Sequence, residues 1–273
     1  MSDVTIACYQ GNSVLGDVSA NLARALDVIA DAGERGADVV LFPETYLQGY
    51  RADELFAETA EAVPGPSTTR IAAAAREHDL YVVMGLARAE VEHPYFVYNS
   101  AALVGPEGVV GFYDKIHLGT LHPFRESMYF ARGTATPVFD TRFGRVSIQI
   151  CNDFWYPELS RVYTLGGATL NLVLSAGPHS FCEHWTTMLK ARAMENQAVY
   201  AYTNVAGAQK DFAFFGGAQV VTPDGEVVVR GPLDEEALVV TTIDLARVER
   251  ARRKWMILRD RVPELYDSLT ERR

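Results

Sequence analysis

Arg145-Val146-Ser147-Ile148-Gln149-Ile150-Cys151-Asn152-Asp153-Phe154-Trp155-Tyr156-Pro157-Glu158 is the stretch from which the fold is read. Arg145–Ile150, with β-branched Val146, Ile148 and Ile150, reads as a strand that ends at Cys151. Two other segments stop in the same way. Val39-Val40-Leu41-Phe42 is halted by Pro43 with Glu44 next, and Val109–Tyr113 runs through Asp114 into Lys115. Further strands are predicted at Val4–Gln10, Leu80–Leu86, Ser100–Val104, Leu170–Leu174, Val199–Thr203 and Ala218–Val221. Between them, Val18, Leu22, Leu26 and Ile29 recur at helical spacing, and Ser67 is a candidate N-cap for an alanine-rich helix through Glu77. Trp185, Met188, Leu189 and Arg192 sit on another helix. Strands interleaved with helices, with some hairpins, give an α/β layered sandwich containing a mixed sheet. Residues 1–273 are read as one domain.

Composition narrows the class. At 48% hydrophobic and 22% charged residues the chain is ordinary for a globular protein and is not a disordered one. A net charge of −10 disfavours a general binder of nucleic acid or anionic membranes. The longest apolar runs, such as Ile71–Ala75, are too short to span a bilayer, and Met1-Ser2-Asp3 leads into a strand without a basic, apolar leader. A cytoplasmic location is expected. Charge is uneven: residues 245–273 hold nine Lys/Arg against five Asp/Glu, so this tail carries +4 and the remainder −14. The tail is either a solvated basic helix or an arm that docks on an acidic surface of a second subunit. Cys8, Cys151 and Cys182 are too few and too scattered for a disulfide framework or a metal knuckle. Gly166-Gly167 and Gly216-Gly217 lack the strand-to-helix setting of a phosphate loop, so neither cofactor nor metal is expected.

Open α/β sheets collect ligands at the carboxyl ends of their strands, where side chains leave the core but stay rigidly held. A lone Glu, Lys or Cys in such a place is ordinarily a solvated charge or a small core residue; the ordered set is what carries information. Phe42-Pro43-Glu44, Tyr113-Asp114-Lys115-Ile116-His117-Leu118 and Ile150-Cys151-Asn152-Asp153 together resemble the Glu-Lys-Cys signature of the nitrilase superfamily, the carbon–nitrogen hydrolases. Supporting matches are Phe124–Phe130, Arg192–Asn196 and Arg259–Tyr266. The resemblance implies a four-layer α-β-β-α sandwich that pairs into a homodimer or higher oligomer, with residues 245–273 as a C-terminal arm. It implies Cys151 as nucleophile, Glu44 as general base, and Lys115 with the Asn152 N–H as oxyanion donors. Glu126, in the segment that matches the family's second glutamate, would position substrate or Lys115; otherwise it is a loop carboxylate paired with Arg125 or Arg132.

These residue types suit amide hydrolysis. A polarisable sulfur attacks a poor electrophile and divides one hard step into two, but a free thiol needs a base or a nearby cation at neutral pH. Cys151-Asn152-Asp153 departs from the Cys-Trp-Glu of nitrilases and resembles N-carbamoyl amino-acid amidohydrolases, which continue with two arginines. Here Phe154 and Trp155 stand in those positions and cannot grip a carboxylate. A neutral, partly apolar carboxamide is therefore expected, with Asn152, Phe154 and Trp155 as candidate substrate-binding residues. The N-carbamoyl reading stays open through Arg125, as does nitrile hydrolysis; a binding or assembly protein on the same fold is the reading of a different class. Cys182 with His179, Glu183 and His184 lacks metal-ligand spacing, Cys8 reads as core, and His117 and His122 either line a pocket or cap hydrogen bonds.

Overall fold

A computed structural model describes residues 3–120 and 124–271; His122 lies outside them. Two six-stranded mixed sheets are built on the same plan. In the first, β1 (Asp3–Gln10), β2 (Val39–Leu41) and β3 (Tyr81–Ala89) are parallel. Antiparallel β4 (Val97–Gly105) and β5 (Gly108–Asp114) extend one side. The second sheet comprises β6 (Val138–Thr141), β7 (Gly144–Ile150), β8 (Leu170–Ser175), β9 (Val199–Asn204), β12 (Gln219–Val221) and β13 (Val227–Arg230), of which β7, β8 and β9 are parallel. A separate hairpin, β10 (Ala206–Gln209) and β11 (Phe212–Phe215), stands between β9 and β12 in sequence. The chain returns through β14 (Ala237–Asp244), which pairs antiparallel with the whole length of β1.

The two-residue period of a strand explains the layering. Val4, Ile6 and Cys8 of β1, with Val39 and Leu41 of β2, share one core with Val146, Ile148 and Ile150 of β7. Their neighbours Ala7, Tyr9, Val40 and Phe42 face the opposite way, into a core with α1 (Val18–Glu34) and α3 (Pro66–Glu77). On the far side of the second sheet lie α4 (Pro157–Leu165) and α5 (Cys182–Asn196), which places Trp185, Leu189 and Ala193 in the core. Helix, sheet, sheet, helix is the resulting order. The short α2 (Phe56–Thr59) lies in the connection from β2 to α3, and α6 (Ala246–Trp255) follows β14.

One local expectation is corrected. Ser67 is not an N-cap: α3 begins at Pro66 after Gly65, and Ser67 is buried with its N–H and hydroxyl both given to Glu61 at 2.8 Å. Proline at the first helical position needs no N–H partner, so the helix starts one residue earlier than the serine suggests.

Candidate active site

Cys151 follows the last residue of β7 and opens a 3-10 turn, Cys151–Trp155. Its φ of +45° is a left-handed conformation that costs a side-chain-bearing residue free energy and persists only when the surroundings hold it. The buried Asp153 carboxylate does so. It accepts the Ile150 N–H at 3.2 Å, the His117 N–H at 2.8 Å and the Tyr113 hydroxyl at 2.7 Å, tying the turn to the end of β5. The Asn152 N–H stands in the first turn of the 3-10 segment, where backbone donors have no intrahelical acceptor.

Glu44 arrives from the first sheet. Beyond β2 the chain turns tightly at Pro43-Glu44-Thr45, with Thr45 at φ +47°, and packs over Gly85 of β3. Its carboxylate accepts the Ala176 N–H at 2.8 Å, Asn99 Nδ2 at 2.8 Å and Lys115 Nζ at 2.6 Å. Lys115 begins where β5 ends, and its backbone N–H is bound by Asn99 O at 2.8 Å. The Lys115 ammonium also reaches Glu126 Oε1 at 2.7 Å. Side-chain exposures of 0% for Lys115 and Glu44 and 5% for Glu126 make this an internal carboxylate–ammonium–carboxylate cluster. Glu126 is therefore not paired with Arg125 or Arg132. Its Oε2 takes the Gly119 N–H at 2.9 Å, and its Oε1 also accepts the Tyr50 hydroxyl at 2.7 Å.

Burial acts on Glu44, Cys151 and Lys115. It raises Glu44 above the ordinary carboxylate range, although the Lys115 charge opposes it. It raises the Cys151 thiol as well, reinforced by the Glu44 charge and opposed by Lys115. For Lys115 burial works against the ammonium, but Glu126 and Glu44 outweigh it and the net shift is upward. The arrangement therefore holds a neutral thiol and a persistent cation, beside a carboxyl whose proton affinity exceeds that of a surface glutamate.

Cys151, Glu126 and Tyr50 line one wall of a cavity of about 570 Å³, within the range of small-molecule sites. Asn152 and Trp155 also line it, with Phe124, Tyr156, Phe181 and Phe212. Phe154 does not. It is fully buried behind the wall, stacked on Trp185 with ring centroids 5.6 Å apart and set edge-on to Tyr200, so its candidacy for substrate contact is corrected to a core position. The 3-10 turn sends adjacent side chains in different directions, and α5 covers the Phe154 side. Arg125 borders a smaller adjoining pocket with Arg51 and Asp53, not the main cavity.

The remaining sequence candidates disperse. The His117 ring meets Asp153 Oδ1 at 3.0 Å and stacks on Tyr156 at 3.7 Å. His179 pairs with Asp234, and His184 lies against Trp155 and Phe181. Cys8 is enclosed in the core, its thiol pushed up to about 12 by burial. Among the described residues no group of three or more His, Cys, Asp or Glu is placed to hold a metal ion. Sequence reasoning missed Asn99 and Tyr50. An asparagine inside a buried strand was an available signal for the first, whereas nothing local marks the second.

Residues 5–253 match the family model for carbon–nitrogen hydrolases. The chain is 36% identical over 258 residues to an (R)-stereoselective amidase from Pseudomonas sp, covering 94% of this chain and 90% of the relative. A carbon–nitrogen hydrolase from Helicobacter pylori G27 superposes with a TM-score of 0.92 over 99% of both chains, at 23% identity, which establishes the shared fold. The amidase from Nesterenkonia sp. AN1 is 27% identical with a TM-score of 0.82, over 97% of this chain and 99% of that one. It was solved as a glutamate-to-glutamine variant showing the result of Michael addition of acrylamide at its active site cysteine. With its ordered motifs, its four layers and a family match across most of its length, this chain belongs to the carbon–nitrogen hydrolase family, whose members include cysteine-dependent amidases.

Proposed function

We propose that the chain hydrolyses a neutral carboxamide with an apolar acyl group to the carboxylic acid and ammonia through a thioester on Cys151. The observation that supports this is the juxtaposition of a buried Glu44–Lys115–Glu126 cluster with Cys151 at the wall of a largely apolar cavity. Glu44 takes the thiol proton as Sγ adds to the amide carbon, forming the C–S bond. Lys115 and the Asn152 N–H stabilise the resulting oxyanion; one such donor is worth about 10²–10³-fold in rate. The C–N bond then breaks, Glu44 returns its proton to the leaving nitrogen, and ammonia departs. Water, deprotonated by Glu44, attacks the thioester; the acid leaves and Cys151 regains its proton.

Selectivity follows from the wall. Among the described residues lining the cavity there is no Lys or Arg, and its two carboxylates, Glu126 and Asp211, are paired with Lys115 and Arg51. A substrate carboxylate would meet no bidentate partner there. Comparing kcat/KM for aryl or alkyl carboxamides, N-carbamoyl amino acids and nitriles tests this reading. Fastest turnover of a carboxamide, with its acyl group found on the Cys151 peptide by mass spectrometry, is expected; preference for N-carbamoyl amino acids defeats it.

The same reading gives the tail a partner. Trp255, Met256, Ile257, Val262, Leu265, Tyr266 and Leu269 are all exposed on residues 255–269 of the basic segment. A second copy, carrying the acidic remainder of the chain, would cover them; a monomer in sedimentation at micromolar concentration contradicts this. Three free cysteines fit a reducing compartment, the cytoplasm.

A further inference from the structure

We infer that Tyr50 is a positioning residue for this reaction, its phenolic hydroxyl setting Glu126 against Lys115 and its ring joining that pair to the cavity wall. The inference rests on the carboxamide reading and adds a residue to it. Tyr50 lies in the connection that follows Glu44 and is 6% exposed. Its hydroxyl donates to Glu126 Oε1 at 2.7 Å, the same oxygen that accepts Lys115 Nζ at 2.7 Å. A buried phenol seeks a hydrogen-bond partner, and here burial and the nearby carboxylates hold it protonated, so Tyr50 is always the donor.

The consequence is geometric. An ammonium has three N–H bonds; Glu44 and Glu126 take two of those of Lys115, and the third is left for the oxyanion. The direction of that third bond is set by where the two acceptor oxygens stand. Gly119 N–H holds one oxygen of Glu126 and the Tyr50 hydroxyl the other, so the carboxylate cannot turn without breaking one of them. The Tyr50 ring is itself wedged edge-on against Phe212 and Phe214 of β11, with centroids 6.4 and 5.9 Å away. Next to it, the Arg51 N–H is accepted by Gln209 Oε1 at 3.1 Å and the Arg51 guanidinium sits 4.5 Å over the Phe212 ring. The hairpin that lines the cavity is thus mechanically continuous with the group that aims Lys115.

Tyr50→Phe keeps the ring and removes the one donor. With a carboxamide that the wild type turns over, kcat is expected to fall roughly tenfold to hundredfold, the effect of a small misalignment of reacting groups, with KM changed less than about threefold. Placed in a Glu126→Ala background, which removes the oxygen that accepts the Tyr50 hydroxyl, the same substitution should cost less than about twofold, because residues acting as one unit are not additive. Equal costs in both backgrounds, or a rise in KM at unchanged kcat, overturns the inference. Alkylation of Cys151 by iodoacetamide, followed by peptide mass mapping at fixed pH, separates this failure from failure of the functional reading. If the wild type is alkylated yet cleaves no carboxamide, the function is wrong, and Tyr50 is still judged by the alkylation rate. A slowed Tyr50→Phe supports it, and an unchanged rate refutes it.

Discussion

Gly85→Ala tests whether the Glu44 turn is held by close packing on β3. A Cβ placed on Gly85 would stand 2.7 Å from Thr45 N and 3.0 Å from Glu44 Cα, and closer still to Pro43 O. All three neighbours are backbone atoms, so none can swing aside as a side chain would. Relieving the overlap to ordinary contact near 3.5 Å moves the turn by about 1 Å relative to the strand. The turn is also tethered, since Leu47 N–H is accepted by Gly85 O at 3.2 Å and Glu44 N–H by Ser175 O at 3.4 Å. Overpacking of this kind typically costs about 1–3 kcal/mol of stability, which a domain of this size can survive folded. A displacement of 1 Å at Glu44, the proposed base, can by contrast cost on the order of 10²-fold in rate. The measurement is kcat/KM on a carboxamide alongside the urea unfolding midpoint. A folded Gly85→Ala protein with activity within threefold of wild type would falsify the claim that this glycine sets the base.

Three other outcomes are expected. Because burial raises Glu44 above its ordinary value, the unprotonated base is lost as pH falls through that raised value. The acid limb of kcat/KM should therefore lie above the usual carboxylate range, and Glu44→Gln should lower kcat by about 10²–10⁴-fold, read from initial rates. Phe154→Ala should lower stability by about 3–5 kcal/mol in urea titration, while Trp155→Ala should leave the unfolding midpoint nearly unchanged and raise KM for bulky apolar amides. Cys151→Ala should abolish turnover and leave no acyl group on the protein by intact mass, with the fold retained by circular dichroism.

The readable part of the site was the part that each strand announces for itself. Val39–Leu41, Gly108–Asp114 and Gly144–Ile150 are β-rich runs that stop at a proline or a turn, so Glu44, Lys115 and Cys151 could be placed at strand ends without knowing which strands were neighbours. Pairing was less legible. Nothing local in Ala237–Asp244 says that it zips against Asp3–Gln10 at the other end of the chain, nor that Ala206–Gln209 and Phe212–Phe215 form a hairpin over the cavity. Phe154 and Trp155 illustrate the limit best. They are adjacent aromatics with equal claims on substrate, and only the arrival of α5, with Trp185 against the Phe154 ring, decides that one is core and the other wall. Asn99 and Tyr50 belong to the same class, because each acquires its role from a carboxylate 55 or 76 positions distant.

On the proposed mechanism, the charge balance of the cluster gives a reason for a base rather than a ready-made thiolate. Two carboxyls and one ammonium give the cluster a formal charge of −1, spread over donors from Ala176, Asn99, Gly119 and Tyr50. Ionising Cys151 outright would add a second negative charge to a group of fully buried side chains, and the upward shift of the thiol expresses that cost. Passing the proton to Glu44 leaves the total unchanged while the negative charge moves first to sulfur and then to the carbonyl oxygen. In the proposed mechanism Lys115 would face that oxygen with its remaining N–H, kept cationic by both carboxylates. Replacing Lys115 by methionine would remove the only compensating charge among these four groups. Burial would then act on Glu44 with no cation to oppose it and raise its carboxyl further. Such a variant should keep its cavity yet lose the base, and acrylamide addition to Cys151, followed by intact mass, should stop together with turnover. Continued addition at the wild-type rate would show that the thiol is activated without this cluster.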